Sequence, residues 1–247
     1  MPSEIHVHLL PEHAHPDTFR GGTAVIVDIL RASTTILTAL DNGATAVRPC
    51  PSVEQAFACR ADDANVLLGG ERGGVMIGGF DLGNSPAAYD KGTVLNRTIA
   101  FTTTNGTKAL LHSTAADEIL IGAFSNVSSL AQHISQNHLP LHIVCAGTGG
   151  VITGEDALFA GCLIAHLDQS STNIANVLTD TARMALGWWK HETNNRALVE
   201  SLNRTQGGRN LLALGYESDI ALAAELNTHP LLATYCTDNG TIVRRAS

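Results

Sequence analysis

The sequence predicts an α/β fold: a layered sheet with flanking helices, built from two related βαβαβ-like halves plus a mainly helical C-terminal part. Three observations predict it. Short apolar runs such as Thr23-Ala24-Val25-Ile26-Val27 and Arg97-Thr98-Ile99-Ala100-Phe101 end abruptly in polar loops, as buried strands of an open sheet do. Residues 23–74 and 97–150 present the same order of parts: Val25 matches Ile99, Ser33 matches Thr107 and Val53 matches Val127, each pair 74 residues apart. The last third of the chain shows helical periodicity and only short strand candidates.

In the first half, the run 23–27 is the opening strand and Asp28 to Thr35 the loop after it. A helical pattern follows to Leu40 and stops at Asn42-Gly43, a good C-terminal signal. A short strand 45–48 leads to Pro51-Ser52-Val53-Glu54, where Ser52 is placed to cap a helix running through Arg60. A strand 65–68 and a glycine loop 69–74 close the half. The second half repeats this with a strand from residue 97, the polar loop 102–107, a helix through Ser113, a strand 118–121, a helix from Ser125 to Asn137, a strand 141–145 and the glycine loop 147–150. Beyond it, helices are expected over 154–167, 180–191, 195–202 and 218–226, with strand candidates at 231–235 and 241–244 that would add an edge strand. No linker-like tract interrupts the chain, so residues 1–247 read as one domain.

Composition narrows the function. Apolar residues make up 44 % of the chain but aromatics only 4 %, so Leu, Ile, Val and Ala must build the core. The net charge is −8, and lysine occurs only at 91, 108 and 190. No basic stripe suits nucleic acid. An anionic ligand must then be held by local backbone donors, a few placed arginines or a metal ion. The five cysteines are odd in number and form no C-x-x-C pair. The N-terminus has no apolar signal core, and no stretch is long and apolar enough to cross a bilayer; a cytoplasmic protein with reduced thiols is expected.

The chemistry concentrates in loops that follow strands, where ligands of open α/β sheets collect. Asp28-Ile29-Leu30-Arg31-Ala32-Ser33-Thr34-Thr35 opens a helix and combines free N–H groups, hydroxyls and a forked cation, a donor set for phosphate. Thr102 to Lys108, with Asn105-Gly106, is the equivalent nest of the second half. The loops 69–74 and 78–86 carry the acids Glu71 and Asp81, candidates for Mg²⁺. Gly147-Thr148-Gly149-Gly150 precedes Glu155-Asp156; it lacks the third glycine of a dinucleotide fingerprint, because Ile152 stands there. His6-x-His8 and His13-x-His15 have no partner at a familiar metal-ligand spacing and read as incidental. There is no Gly-Lys-Ser/Thr phosphate loop, no Cys-x5-Arg loop after Cys145, and Leu30 stands where an aspartyl-phosphate route of the haloacid-dehalogenase type expects a second Asp.

Taken together and in this order, Asp28 to Ile36, Gly70-Glu71-Arg72 to Pro86, Thr103 to Thr107, Cys145-Ala146-Gly147, Glu155-Asp156-Ala157-Leu158-Phe159-Ala160-Gly161, and Gly207-Gly208-Arg209-Asn210-Leu211 followed by Asp219-Ile220 resemble the 2-phosphosulfolactate phosphatases over about residues 23–225. The resemblance implies an α/β fold, Mg²⁺ dependence and hydrolysis of 2-phosphosulfolactate to sulfolactate and phosphate on the route to coenzyme M. On this reading the catalytic candidates are Asp28, Arg31 and Glu155, and the metal candidates Glu71, Asp81 and Asp156. The substrate-binding candidates are Ser33, Thr34, Arg72, Asn84, Ser85, Thr104, Asn105, Gly106, Thr107, Gly147 and Gly149. The expected partner is a small anionic phosphoester, with no nucleic acid and no membrane; a homo-oligomer is left open. Two alternatives also stay open: a phosphatase of the same type acting on another small phosphoester, and a non-catalytic binder of an anionic metabolite.

Overall fold

The computed structural model describes residues 1–168 and 174–245. Strand β1 (Ile5–His8) comes first, in the proline-flanked N-terminus. The first half follows as β2 (Thr23–Val27), α1 (Ala32–Asp41), β3 (Ala46–Pro49), α2 (Val53–Asp62) and β4 (Leu67–Arg72), extended by β5 (Val75–Met76) and the short α3 (Lys91–Val94). The second half runs β6 (Thr98–Thr102), α4 (Gly106–His112), β7 (Glu118–Gly122), α5 (Val127–Ser135) and β8 (Leu141–Cys145). The C-terminal part contains α6 (Gly154–Asp168), α7 (Asp180–Asn195), α8 (Leu198–Asn203), α9 (Gln206–Ala213), α10 (Glu217–Ala223), β9 (Ala233–Cys236) and β10 (Thr241–Arg244). Both halves trace the βαβαβ order expected from sequence, and Ser52 caps α2 by accepting the Gln55 N–H at 3.3 Å.

The ten strands form one sheet in the order β1-β8-β2-β7-β9-β10-β3-β6-β4-β5. The two halves are interleaved in it. The first strand of one half, β2, lies between β7 and β8 of the other. The first strand of the second half, β6, lies between β3 and β4 of the first. Each triplet is internally parallel, and the β9–β10 hairpin joins them through antiparallel pairings to β7 and β3, so the triplets run in opposite senses. Helices α1 and α4 therefore each carry the chain from one triplet to the other. Their N-termini meet: a Cβ on Gly106 would lie 2.8 Å from Asp28 Oδ2 and 3.0 Å from Ala32 Cβ, so only glycine lets the two loops touch.

Three sequence expectations need correction. The C-terminal strands do not extend an edge; β9 and β10 fill the middle of the sheet. The glycine loop 69–74 is mostly strand, because β4 continues to Arg72 beside β6 and turns back into β5. Gly70 permits this with φ 140°, where a Cβ would strike the Thr102 carbonyl oxygen at 2.0 Å. Helix α9 has no counterpart in the sequence reading, since its Gly207-Gly208 start breaks the helical signal. The main core is aliphatic, centred on β2 and β8, buried throughout, and β7, buried beyond Glu118; a smaller cluster of Cys50, Ala56, Val66, Leu68, Phe80 and Ala100 lies beneath α2.

Candidate active site

The ends of β2, β4, β6 and β8 deliver the loops that surround a cavity of about 460 Å³, within the size range of small-molecule sites. Asp28, Leu30, Arg31, Glu71, Gly73, Gly74, Asn84, Thr104, Asn105, Thr148 and Gly149 line it, and Gly207, Asn210, Leu211, Ala213 and Leu214 close one side.

Asp28 sits where the two helix N-termini converge. Its Oδ1 accepts the Ala32 N–H at 3.3 Å, and the Gly106 N–H also donates to the carboxyl. Burial nevertheless pushes its pKa up to about 7, and the neighbouring Glu71 and Glu155 push in the same direction. Glu71 reaches across from β4. Its Oε1 accepts the Thr104 N–H at 3.0 Å and the Thr104 hydroxyl at 3.2 Å, while Oε2 accepts the Gly74 N–H at 2.7 Å.

Asp156 performs the matching task in the other half. Its Oδ1 accepts the Ile29 N–H at 2.9 Å and its Oδ2 the Gly147 N–H at 3.0 Å. Each acid thus lies at or beyond the end of the third strand of its half, Glu71 in β4 and Asp156 after β8, and clasps the loop after the first strand of the other. Asp156 is 2 % exposed and absent from the cavity wall. Its carboxyl is held well above the usual range by burial, then by Glu155 and Asp28. Glu155, also 2 % exposed, lies behind the wall, with Oε2 accepting the Gly207 N–H at 3.3 Å.

Arg31 is 3 % exposed. Its Nη1 donates to Asp219 Oδ2 at 2.7 Å, its Nη2 donates to the Gly74 carbonyl at 2.7 Å, and its guanidinium carbon stands 4.3 Å from the centre of the Tyr216 ring. Neither Asp219 nor Tyr216 is singled out by the sequence as an Arg31 partner. An Asp in a first helical turn reads as ordinary dipole compensation, and only its partner across the fold reveals more.

The structure brings Asp28, Arg31, Glu71, Asn84, Thr104, Asn105 and Gly149 to one cavity, with Gly106 packed against Asp28. Other candidates lie elsewhere. Asp81 is outside the cavity: its carboxylate pairs with Arg60 and accepts the Leu68 N–H at 2.8 Å. The Ser33 hydroxyl accepts the Asp28 N–H at 2.9 Å, and the Thr34 hydroxyl donates to the Ile29 carbonyl at 2.8 Å, so both shape the loop and neither faces the cavity. Arg72 donates to the Glu71 carbonyl and the Thr102 hydroxyl. Ser85 donates to Asp219 Oδ1 at 2.6 Å. Thr107, a member of the second nest expected from sequence, is buried against Thr103 and does not line the cavity. Gly147 serves Asp156, and Gly149 donates to Asn105 Oδ1 at 3.0 Å.

The donors on the wall are hard oxygens. Among the described residues no three His, Cys, Asp or Glu side chains converge on one point. Two cavity carboxylates, Asp28 and Glu71, suit a cation that keeps several waters and takes further ligands from a substrate, as Mg²⁺ does. Asn84 Oδ1 is buried without a hydrogen-bond partner, an acceptor that a cation-bound water or a ligand donor would satisfy.

A family model described as 2-phosphosulpholactate phosphatase matches residues 8–238. A protein of Symbiobacterium thermophilum is 35 % identical over 217 residues, covering 87 % of this chain and 91 % of the relative. One of Deinococcus radiodurans is 36 % identical over 233 residues, covering 93 % and 92 %. One of Caldanaerobacter subterraneus subsp. tengcongensis is 40 % identical over 198 residues, covering 79 % and 80 %. All three carry the name "Probable 2-phosphosulfolactate phosphatase".

Proposed function

This chain belongs to the 2-phosphosulfolactate phosphatase family, and on that premise we propose that it is a cytoplasmic, Mg²⁺-dependent phosphoric monoester hydrolase that converts 2-phosphosulfolactate to sulfolactate and phosphate. The observation that carries the reading is the meeting of Asp28, Glu71 and Arg31 on one cavity wall, an acid and a fixed cation from the loop after β2 and a second acid from the end of β4.

Glu71 and Asp28 would hold the metal ion. When bound, Mg²⁺ would offset the charge of the phosphoryl oxygens and increase the electrophilicity of phosphorus. Arg31 presents its remaining N–H groups to the phosphoryl oxygens and stabilises the charge that grows there in the transition state. An Asp28 oxygen not engaged by the ion would orient the attacking water and take its proton. Glu155 acts through Asp28, raising its basicity from behind the wall. Thr104 and Asn105 keep the second loop in place, and the leaving alkoxide takes its proton from the protonated Asp28 or from water.

One observation favours a second substrate reading. Arg31 is the one cationic side chain on the cavity wall among the described residues, and Leu30, Leu211 and Leu214 supply apolar surface. This suits a phosphoester with fewer charges than 2-phosphosulfolactate. Phosphate release from 2-phosphosulfolactate and from a panel of small phosphoesters, with Mg²⁺ and with excess chelator, tests both readings. Activity only with Mg²⁺ is expected, and full activity in chelator would overturn the metal requirement. The order of kcat/KM across the panel decides the substrate.

A further inference from the structure

The Arg31–Asp219 pair is buried on both sides, at 3 % and 0 % exposure. Such a pair is a poor way to stabilise a fold, because removing both charges from water costs about as much as their attraction returns. It is a good way to hold a cation still. Asp219 is fully committed: Oδ2 accepts from Arg31 at 2.7 Å and Oδ1 from the Ser85 hydroxyl at 2.6 Å. The Tyr216 ring covers one face of the guanidinium, and the Gly74 carbonyl takes a second N–H. A guanidinium has five N–H donors. Two are spent here, and the side chain still borders the cavity. The clamp comes from α10 and the turn before it, distant in sequence from the strand-end loops that carry the acids.

We propose that Asp219 is a positioning residue for catalysis, holding the Arg31 guanidinium in one orientation so that its free N–H groups meet the phosphoryl group without reorganising. This rests on the phosphatase reading above. Preorganised donors act mainly on the transition state, so loss of the clamp falls on turnover more than on substrate affinity. Ser85, taken from sequence as a substrate contact, becomes the residue that orients Asp219.

Steady-state kinetics on 2-phosphosulfolactate with Mg²⁺ test this. Asp219→Asn is expected to lower kcat by about tenfold to a hundredfold, the range for lost supporting partners. KM should change by less than about threefold. Chemical rescue separates positioning from a merely structural role. Guanidinium at non-denaturing concentration should restore part of the activity of Arg31→Ala. It should fail or fall well short in Arg31→Ala/Asp219→Asn, where the carboxylate that pairs with the added cation is gone and only the Gly74 carbonyl and the Tyr216 ring remain. Should Asp219→Asn lose its folded state, Ser85→Ala and Tyr216→Leu carry the test, each expected to lower kcat several-fold with the melting temperature kept. Wild-type kcat in Asp219→Asn, or in both substitute variants, would overturn the inference alone; equal rescue with and without Asp219 would do the same. Absence of phosphate release by the wild-type enzyme would remove the phosphatase reading, and the inference with it.

Discussion

At Asp28 opposing influences act on one carboxyl. Burial, Glu71 and Glu155 raise its pKa to about 7, while N–H groups of Ala32 and Gly106 pull it down. An acid raised above its unfolded value, here 3.8, leaves stability complete below that value and erodes it as the pH climbs through 7. Metal-free protein should therefore be less stable at pH 8 than an otherwise equal chain with no charge at this position. Asp28→Asn is expected to melt higher than wild type at pH 8 in chelator, with the gap closing towards pH 4. Mg²⁺ should raise the wild-type melting temperature and leave that of Asp28→Asn nearly unchanged, since a ligand stabilises only the state that binds it. Turnover of the variant should drop by at least about a hundredfold, as loss of a general base does. Thermal scans at two pH values, with and without Mg²⁺, check the stability claim; a lower melting temperature for Asp28→Asn at pH 8 would contradict it. Asp28 and Arg31 were legible in sequence because acid, cation and helix start follow a buried strand directly. Asp81 misled because a glycine-rich segment does not reveal that Arg60, one helix away, takes the carboxylate.

Among elements, the Glu71 and Asp156 clasps show what sequence periodicity conveys and what it omits. Period and run length located β2, α1, β6, α6 and β10 well, since each buries one face or all of itself. The same signals could not tell that β9 and β10 lie inside the sheet. A four-residue strand reports which faces are buried, not which strands stand beside it. Nor could they show that Asp156 is tied to Ile29 and Gly147. Asp156→Ala leaves two buried N–H groups without acceptors, each costing about 1–3 kcal/mol. Denaturant titration should find a loss on the order of 2–5 kcal/mol, with activity lost through the displaced 28–31 loop. A change below about 0.5 kcal/mol, the range of ordinary surface substitutions, would mean the clasp carries no weight.

Strand β1 pairs with β8 at a cluster of histidines. His8 Nε2 and His142 Nδ1 are 3.1 Å apart, and His6 stacks on His142 at 4.8 Å. Burial lowers the pKa of both His8 and His142 to about 4, and the surrounding histidines add to it; Glu4 acts the other way on His142. These depressed values make the neutral pair's contribution complete above pH 6.5 and lost as the pH falls towards 4. This trend opposes that of Asp28, so the variants must be read separately. His142→Leu should flatten the fall in denaturation midpoint between pH 6.5 and 4.5 relative to wild type. An equally steep fall in the variant would assign the acid lability to other groups.

Over the whole molecule, interleaving makes the halves interdependent. Without the second half, β2 loses both its neighbours, β7 and β8, and β3 and β4 lose β6, the strand between them. Without the first half, β6 is stranded in the same way. Neither half keeps its own three strands contiguous, although each contains a full βαβαβ unit in sequence, and residues 97–247 retain only β7 beside the β9–β10 hairpin, with β8 and β6 detached from it. The site inherits this dependence, because Asp28 and Glu71 come from one half and Thr104, Asn105 and Gly149 from the other. The pairings are also distant along the chain, which slows folding and makes the sheet form as a unit. A break between Leu95 and Arg97, after α3 and before β6, separates the halves without cutting a strand. Residues 1–96 and 97–247 made separately should show no cooperative unfolding transition and no phosphatase activity. Co-expressed, they should assemble into one complex with a single transition and recovered activity, because the missing strands are supplied in trans. A cooperative melt from either fragment alone would mean that a half can build its own sheet, and that the interleaved strand order is not what makes the fold indivisible.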